Sequence, residues 1–106
     1  MINTIKNMFG MGTKVEYAQL VKDGAIILDV RSKGEFDGGH IKGSINISVD
    51  KLFGNLDKLK DKNKVIITCC ASGMRSASAK SLLQSKGYTQ VYNGGGWMSL
   101  QNKLRG

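Results

Sequence analysis

Proline is absent from the 106 residues, and cysteine occurs only twice. Without proline, turning falls to fourteen glycines, which bend the chain without fixing φ. With two cysteines adjacent in sequence, Cys69 and Cys70, a disulfide framework is excluded. Their Cα atoms lie about 3.8 Å apart, so they could pair only through a strained ring, and a reducing compartment is expected. Nowhere does the chain approach the roughly 20 apolar residues of a membrane span. The opening "MINTIKNMFGMG" lacks both an apolar stretch of about 7 to 15 residues and a small-residue cleavage site. A cytoplasmic protein with no membrane partner is expected. Acidic residues are also few: eight Asp and Glu against sixteen Lys and Arg leave a formal charge of +8, which draws anions and acidic partners to the surface. The densest basic stretch, Lys51, Lys58, Lys60, Lys62 and Lys64, is interrupted by Asp57 and Asp61 and holds a single aromatic, Phe53, too few to stack on successive bases. It reads as a solvated face, and no nucleic acid is expected as a partner.

What is present fits one domain, because a chain of this length has about two-thirds of its unfolded surface to bury and no room for a second core. A flexible tail is expected over residues 1–12 and a single domain over residues 13–106; nothing demands more than a monomer. "TKVEYAQLVKDG" suggests a short strand, then a helix with Tyr17, Leu20 and Val21 on one face and Gly24 after its end. "AIILDVR" and "KVIITCC" are nearly continuous runs of β-formers, the pattern of strands buried on both faces. Between them lie a short helical turn, a brief strand at residues 44–47, and "VDKLFGNLDKLK", in which Leu52, Phe53, Leu56 and Leu59 recur at helical spacing. "GMRSASAKSLLQSKG" reads as a helix closed by Gly87, and "QVYNGGGWMSLQNKL" as a last strand and helix. Strands alternating with helices imply a mainly parallel α/β sheet, with sites where strands end and helices begin.

Cys70 stands at such a point, at the carboxyl end of a strand and just before a helix. The unpaired amides of a first helical turn carry partial positive charge and stabilise a thiolate held among them, lowering its pKa and raising its reactive fraction. Gly73 lets the backbone turn successive N–H groups inward as an anion nest. Arg75 adds a planar cationic fork suited to a sulfonate or phosphate, and Ser72 and Ser76 add hydroxyl donors.

From Cys70 the chain reads C-x-x-G-x-R-S, which resembles the active-site loop of the rhodanese-like family, the single-domain sulfurtransferases. "ILDVRSKGEFDGGHIKGSINI" is similar to that family's first signature and "VYNGGGWMSL" to its closing one. The three cover roughly residues 13–104 in the family's order. The resemblance implies a five-stranded, mainly parallel sheet with helices on both faces. It implies an enzyme in which the Cys70 thiolate takes sulfur from an anionic donor such as thiosulfate, holds it as a persulfide, and passes it to a thiol, to cyanide or to an acceptor protein. The amides of Ala71, Ser72, Gly73, Met74, Arg75 and Ser76 would hold the persulfide, Arg75 would hold the donor, and neither metal nor cofactor is needed. The chain departs from the family pattern at Lys42, where proline is usual, and at Cys69, where an aromatic or another strand former is common.

Cys69 opens a second reading. Counted from it, the spacing C-x-x-x-x-x-R matches cysteine phosphatases, one branch of which shares the rhodanese fold, so Cys69 as nucleophile would mean phosphate chemistry. Strand alternation sends adjacent side chains to opposite faces, so only one sulfur enters the nest. A third reading is a binding module with little turnover. Around the loop, Asp29 and Arg31 are expected to form a buried ion pair or loop brace, Glu35 to cap or brace the short helix, His40 to make a structural hydrogen bond, and Trp97 to anchor the core.

Overall fold

The computed structural model describes residues 15–105. The expected tail over residues 1–12 lies outside them. Helix α1 (Tyr17–Lys22) leads into strand β1 (Ile26–Asp29), helix α2 (Lys33–Asp37) and the short strand β2 (Ile45–Asn46). Two 3₁₀ segments, Val49–Lys51 and Phe53–Leu59, precede strand β3 (Ile66–Cys70), helix α3 (Met74–Ser85), strand β4 (Val91–Gly96) and helix α4 (Trp97–Arg105). The strands form one parallel sheet in the order β2-β1-β3-β4.

The apolar runs of β1 and β3 behave as strands buried on both faces. Leu28, Val30, Ile66 and Cys70 join a core with Leu52, Leu59, Ala79, Leu83, Tyr88 and Val91 on the side covered by α3 and the 3₁₀ segments. Ile27, Ile67 and Cys69 face a second core with Ile41 and Leu100, flanked by Tyr17, Leu20 and Val21 of α1 and by Trp97 and Leu104. Helices thus cover both faces, as parallel pairing demands. Among the described residues no helix is long and apolar enough to cross a membrane.

Two expectations change. The sheet has four strands among the described residues rather than five: at the start of "TKVEYAQLVKDG", where a short strand is expected, Thr13 and Lys14 lie outside the description and Val15 joins none of the four strands. The stripe at residues 52–59 is not an α-helix. Gly54 sits at its centre and Asn55 leaves helical geometry at φ −127°, consistent with the poor helix propensities of both residues. The tighter 3₁₀ winding still buries Leu52 and Leu59, but Phe53 turns to solvent, 57 % exposed, with the Lys86 ammonium 4.8 Å from its ring.

Candidate active site

Strand β3 ends at Cys70, and Gly73, at φ +106°, turns the chain into α3. A left-handed φ of this size suits glycine, and glycine has no side chain with which to cap the helix. The Cys70 sulfur takes over the capping role. It accepts hydrogen bonds from the amide of Gly73 at 2.9 Å and of Ser76, in the first turn of α3, at 3.3 Å, where a Ser or Asp cap would otherwise accept. The Cys70 thiol in turn donates to Ser76 Oγ at 3.6 Å. Burial of the sulfur works to raise its pKa, but the Ser76 hydroxyl and the Ser76, Gly73 and Ser72 amides outweigh it, and the net shift is downward.

Cys69, one residue earlier, meets the opposite environment. It points into the α1/α4 core, its Cα registered against Asp29 of β1. Burial, reinforced by the Asp29 carboxylate, pushes its thiol up to about 12. At neutral pH it is a protonated core side chain. The seven-residue segment counted from Cys69 to Arg75 therefore has its first sulfur outside the cradle, which removes the geometric basis of the phosphatase reading.

Arg75 lies at the rim. Its Nη1 and Nη2 donate to the two carboxylate oxygens of Glu35 at 2.7 and 3.0 Å, with both side chains 39 % exposed. This hydrogen-bonded pair holds Glu35 down at about 2, helped by the backbone of Ser32. Glu35 also completes a capping box with Ser32 at the start of α2, so the expected brace of the short helix is present and additionally ties α2 to the cysteine loop. Ala71, Ser72 and Met74 are exposed around the cradle.

Below the rim, Asp29 and Arg31 are buried together. Arg31 Nη2 and Nε donate to Asp29 at 2.7 to 3.1 Å, and the guanidinium also donates to the carbonyls of Gly39 at 2.7 Å and Glu35 at 3.3 Å. Trp97 lies beneath it, 4.8 Å from ring centroid to guanidinium carbon. The pair thus ties down α2, which carries Glu35, and the turn at Gly39 that follows it. His40 bonds through Nδ1 to the Phe36 carbonyl at 2.7 Å and stacks on the Phe36 ring at 3.7 Å, a structural role. Asn93 escapes the sequence reading, yet its side chain contacts the loop at Ser76 and Gly73. The signal available was its place two residues before Gly95, since Asn bonds readily to a following main-chain amide. Among the described residues no cluster of three or more His, Cys, Asp or Glu side chains could hold a metal ion.

The rhodanese-like domain family matches residues 13–103. The chain belongs to that family. Among rhodanese-like relatives, thiosulfate sulfurtransferase PspE of Escherichia coli K12 is 34 % identical over 70 residues, covering 65 % of this chain and 67 % of that protein. The tRNA sulfurtransferase of Thermoplasma acidophilum is 32 % identical over 69 residues, which are 65 % of this chain but only 14 % of that enzyme. The structure of the human single-domain sulfurtransferase TSTD1 superposes with a TM-score of 0.74 at 29 % identity, covering 83 % of this chain and 91 % of that one. The matched region thus corresponds to most of some relatives and to one module of others.

Proposed function

We propose that this rhodanese-like domain is a sulfurtransferase or sulfane-sulfur carrier that works through a persulfide on Cys70. One observation carries the reading: of two adjacent thiols, the Cys70 sulfur accepts the Gly73 and Ser76 amides while the Cys69 sulfur faces the opposite core. A thiolate formed in that position meets donors already in place before any substrate arrives.

The chemistry follows from the donors. Cys70 gives its proton to solvent, and the thiolate attacks the outer sulfur of a small anionic donor such as thiosulfate. The donor's S–S bond breaks, sulfite leaves with the electron pair, and Cys70–S–S⁻ remains. The amides at residues 71–76 offset its charge. A thiolate, cyanide or the thiolate of an acceptor protein then attacks the outer sulfur, and the Cys70 thiolate leaves with the bonding pair, closing a ping-pong cycle. Arg75 meets the donor at the rim: pairing with Glu35 engages two of its N–H groups, leaving about three of the five that a guanidinium carries.

Intact-mass measurement tests this directly. Incubation with thiosulfate is expected to add about 32 Da, one sulfur atom, removable by cyanide or dithiothreitol. Cys70→Ser should abolish the gain and Cys69→Ser should keep it. Loss of the gain in the Cys69 variant alone, with hydrolysis of p-nitrophenyl phosphate by the wild type, would reverse the assignment; no response in either assay would leave a docking module.

A further inference from the structure

The Ser76 hydroxyl carries one hydrogen and has three candidate acceptors. Asn93 Oδ1 lies at 2.6 Å, the Gly73 carbonyl at 3.0 Å, and the Cys70 sulfur at 3.6 Å. Asn93 is held for this contact. Its Oδ1 also accepts the Gly95 amide at 2.9 Å, and its Nδ2 donates to the Gly73 carbonyl at 3.4 Å. The sheet contributes as well. β4 runs level with β3 as far as Thr68 and Asn93 and then slips, so that Cys70 pairs with Gly96. Such bulges re-aim side chains beside active sites. On the same face Thr68 Oγ1 donates to the Ser76 carbonyl at 2.9 Å, so Ser76 is fixed from both β3 and β4.

We propose that Asn93 is a positioning residue for the Cys70 chemistry: its amide oxygen competes with the sulfur for the single Ser76 hydroxyl hydrogen, limiting how strongly that hydroxyl holds the thiolate and keeping it basic enough to attack. The inference rests on the reading of Cys70 as the sulfur-carrying residue. In the thiol form the hydrogens run in series, Cys70 S–H to Ser76 Oγ and Ser76 O–H to Asn93 Oδ1. When the thiol proton leaves for solvent, Ser76 Oγ loses its donor, and a rotation about its Cβ–Oγ bond can aim the O–H at the anionic sulfur. Asn93 opposes that rotation with the shortest bond in the set. Once the outer sulfur is attached, negative charge moves off Sγ and the hydroxyl returns to Asn93. Asn93 thereby sets how much a donor hydrogen bond quenches the nucleophile.

The charged groups on the surrounding elements do not compete. Asp29 and Arg31 of β1 bond to each other, Glu35 of α2 bonds to Arg75 of α3, and none of the four hydrogen-bonds to Asn93, Ser76 or the Cys70 sulfur among the described residues. Tyr17 of α1 donates to the Asn93 main-chain carbonyl at 3.2 Å, not to its amide side chain, and Tyr17, Tyr92 of β4 and Cys69 of β3 all belong to the opposite core.

The test is the pH dependence of Cys70 alkylation by iodoacetamide, with the modified residue assigned by mass spectrometry. In Asn93→Ala the freed hydroxyl should lower the apparent pKa of Cys70 by about one unit, the scale of one hydrogen bond to a charged group. The limiting rate constant of the thiolate should fall about threefold, following the weak dependence of thiolate nucleophilicity on basicity. Asn93→Asp, which keeps the shape and the acceptor and adds charge, should move the pKa upward. In a Ser76→Ala background, Asn93→Ala should move neither quantity. A purely architectural Asn93 gives a different pattern, because a loosened cradle raises the pKa. A rise or no change in Asn93→Ala, or an equal shift without Ser76, overturns the proposal. If Asn93→Ala does not fold, an unchanged pKa in Asn93→Asp overturns it. Alkylation needs no sulfur donor, so the shifts can appear while thiosulfate fails to load Cys70. That outcome would sink the persulfide reading and leave the role of Asn93 standing.

Discussion

The opposed environments of the two thiols predict an alkaline instability that belongs to Cys69 alone. Burial lifts its pKa from an ordinary 9.0 to about 12. Below pH 9 both folded and unfolded chains hold that proton, and it contributes no pH dependence. Above pH 9 the unfolded chain releases it and the folded chain keeps it, so stability falls as pH rises, by about 1.4 kcal/mol per pH unit. At about pH 10.5 the loss reaches roughly 2 kcal/mol, a sizeable share of the roughly 5–15 kcal/mol that holds a typical domain together. Cys70 does not mask the effect: its folded pKa is lowered, so its pH dependence lies below pH 9 and both states are ionised above it. Tyr17 and Tyr88, whose hydroxyl pKa values burial also raises, add alkaline losses to any variant that retains them. The comparison is therefore wild type against Cys69→Ala. Urea unfolding under reductant, followed by the fluorescence of the single tryptophan, Trp97, gives the stability of each from pH 7 to about pH 10.5. At pH 7 the variant should be less stable by about 1 kcal/mol for the small cavity it leaves. At about pH 10.5 the order should reverse, with the variant ahead by roughly 1 kcal/mol. A stability difference that stays constant across the range would refute the buried, neutral Cys69 and with it the reason for assigning the chemistry to Cys70.

Two further outcomes are expected. Glu35→Gln frees the Arg75 guanidinium from its carboxylate partner, so the KM for thiosulfate should fall about two- to fivefold with kcat little changed, the scale of a half-exposed pair. Because Glu35 stays ionised down to about 2, mild acid should not reproduce this effect in the wild type, and steady-state kinetics between about pH 5 and 8 will show whether it does. Gly94→Ala should lower stability by about 2–3 kcal/mol and Tm by roughly 10 °C, since an added Cβ would sit 2.9 Å from Ile67 Cγ2, Leu100 Cδ2 and the Thr68 carbonyl oxygen. Thermal unfolding by circular dichroism measures it, and an unchanged Tm would show that this part of the sheet is looser than described.

Those consequences came from different depths of the sequence. The runs at residues 25–31 and 64–70 are legible as buried strands because nearly every side chain is a β-former, and the structure buries both faces of each. The cysteine loop is legible because its parts are contiguous: a strand end, a glycine and the first turn of a helix lie within seven residues, and local geometry alone aims the amides at the sulfur. The 3₁₀ segments were harder. Their leucines recur every three to four residues, which suits both windings, and only the glycine at 54 and asparagine at 55 argue for the tighter one. Least legible were the long-range partners. Arg75 and Glu35 stand forty residues apart in sequence, and nothing in the spacing says that an arginine suited to an anionic substrate already has a carboxylate.

Under the proposed chemistry, that pairing would bear on how the site discriminates among donors. A bare guanidinium beside a cradle of amides would attract any anion, and on a chain of formal charge +8 long-range attraction adds little selectivity. With Glu35 engaged, the Arg75 charge at the rim is offset by its carboxylate partner. The strongest localised attraction then lies deeper, at the Gly73 and Ser76 amides around Sγ. An anion held only at the rim gains little, while a donor narrow enough to bring its outer sulfur to Cys70 places the developing negative charge among those amides. Preorganised donors aimed at charge that forms during the reaction accelerate it, whereas uniform attraction to the ground state does not. On the proposed persulfide chemistry, the half-exposed Arg75–Glu35 pair and the buried amides would divide the work: the pair would limit indiscriminate binding, and the cradle would reserve its interaction for the sulfur being transferred.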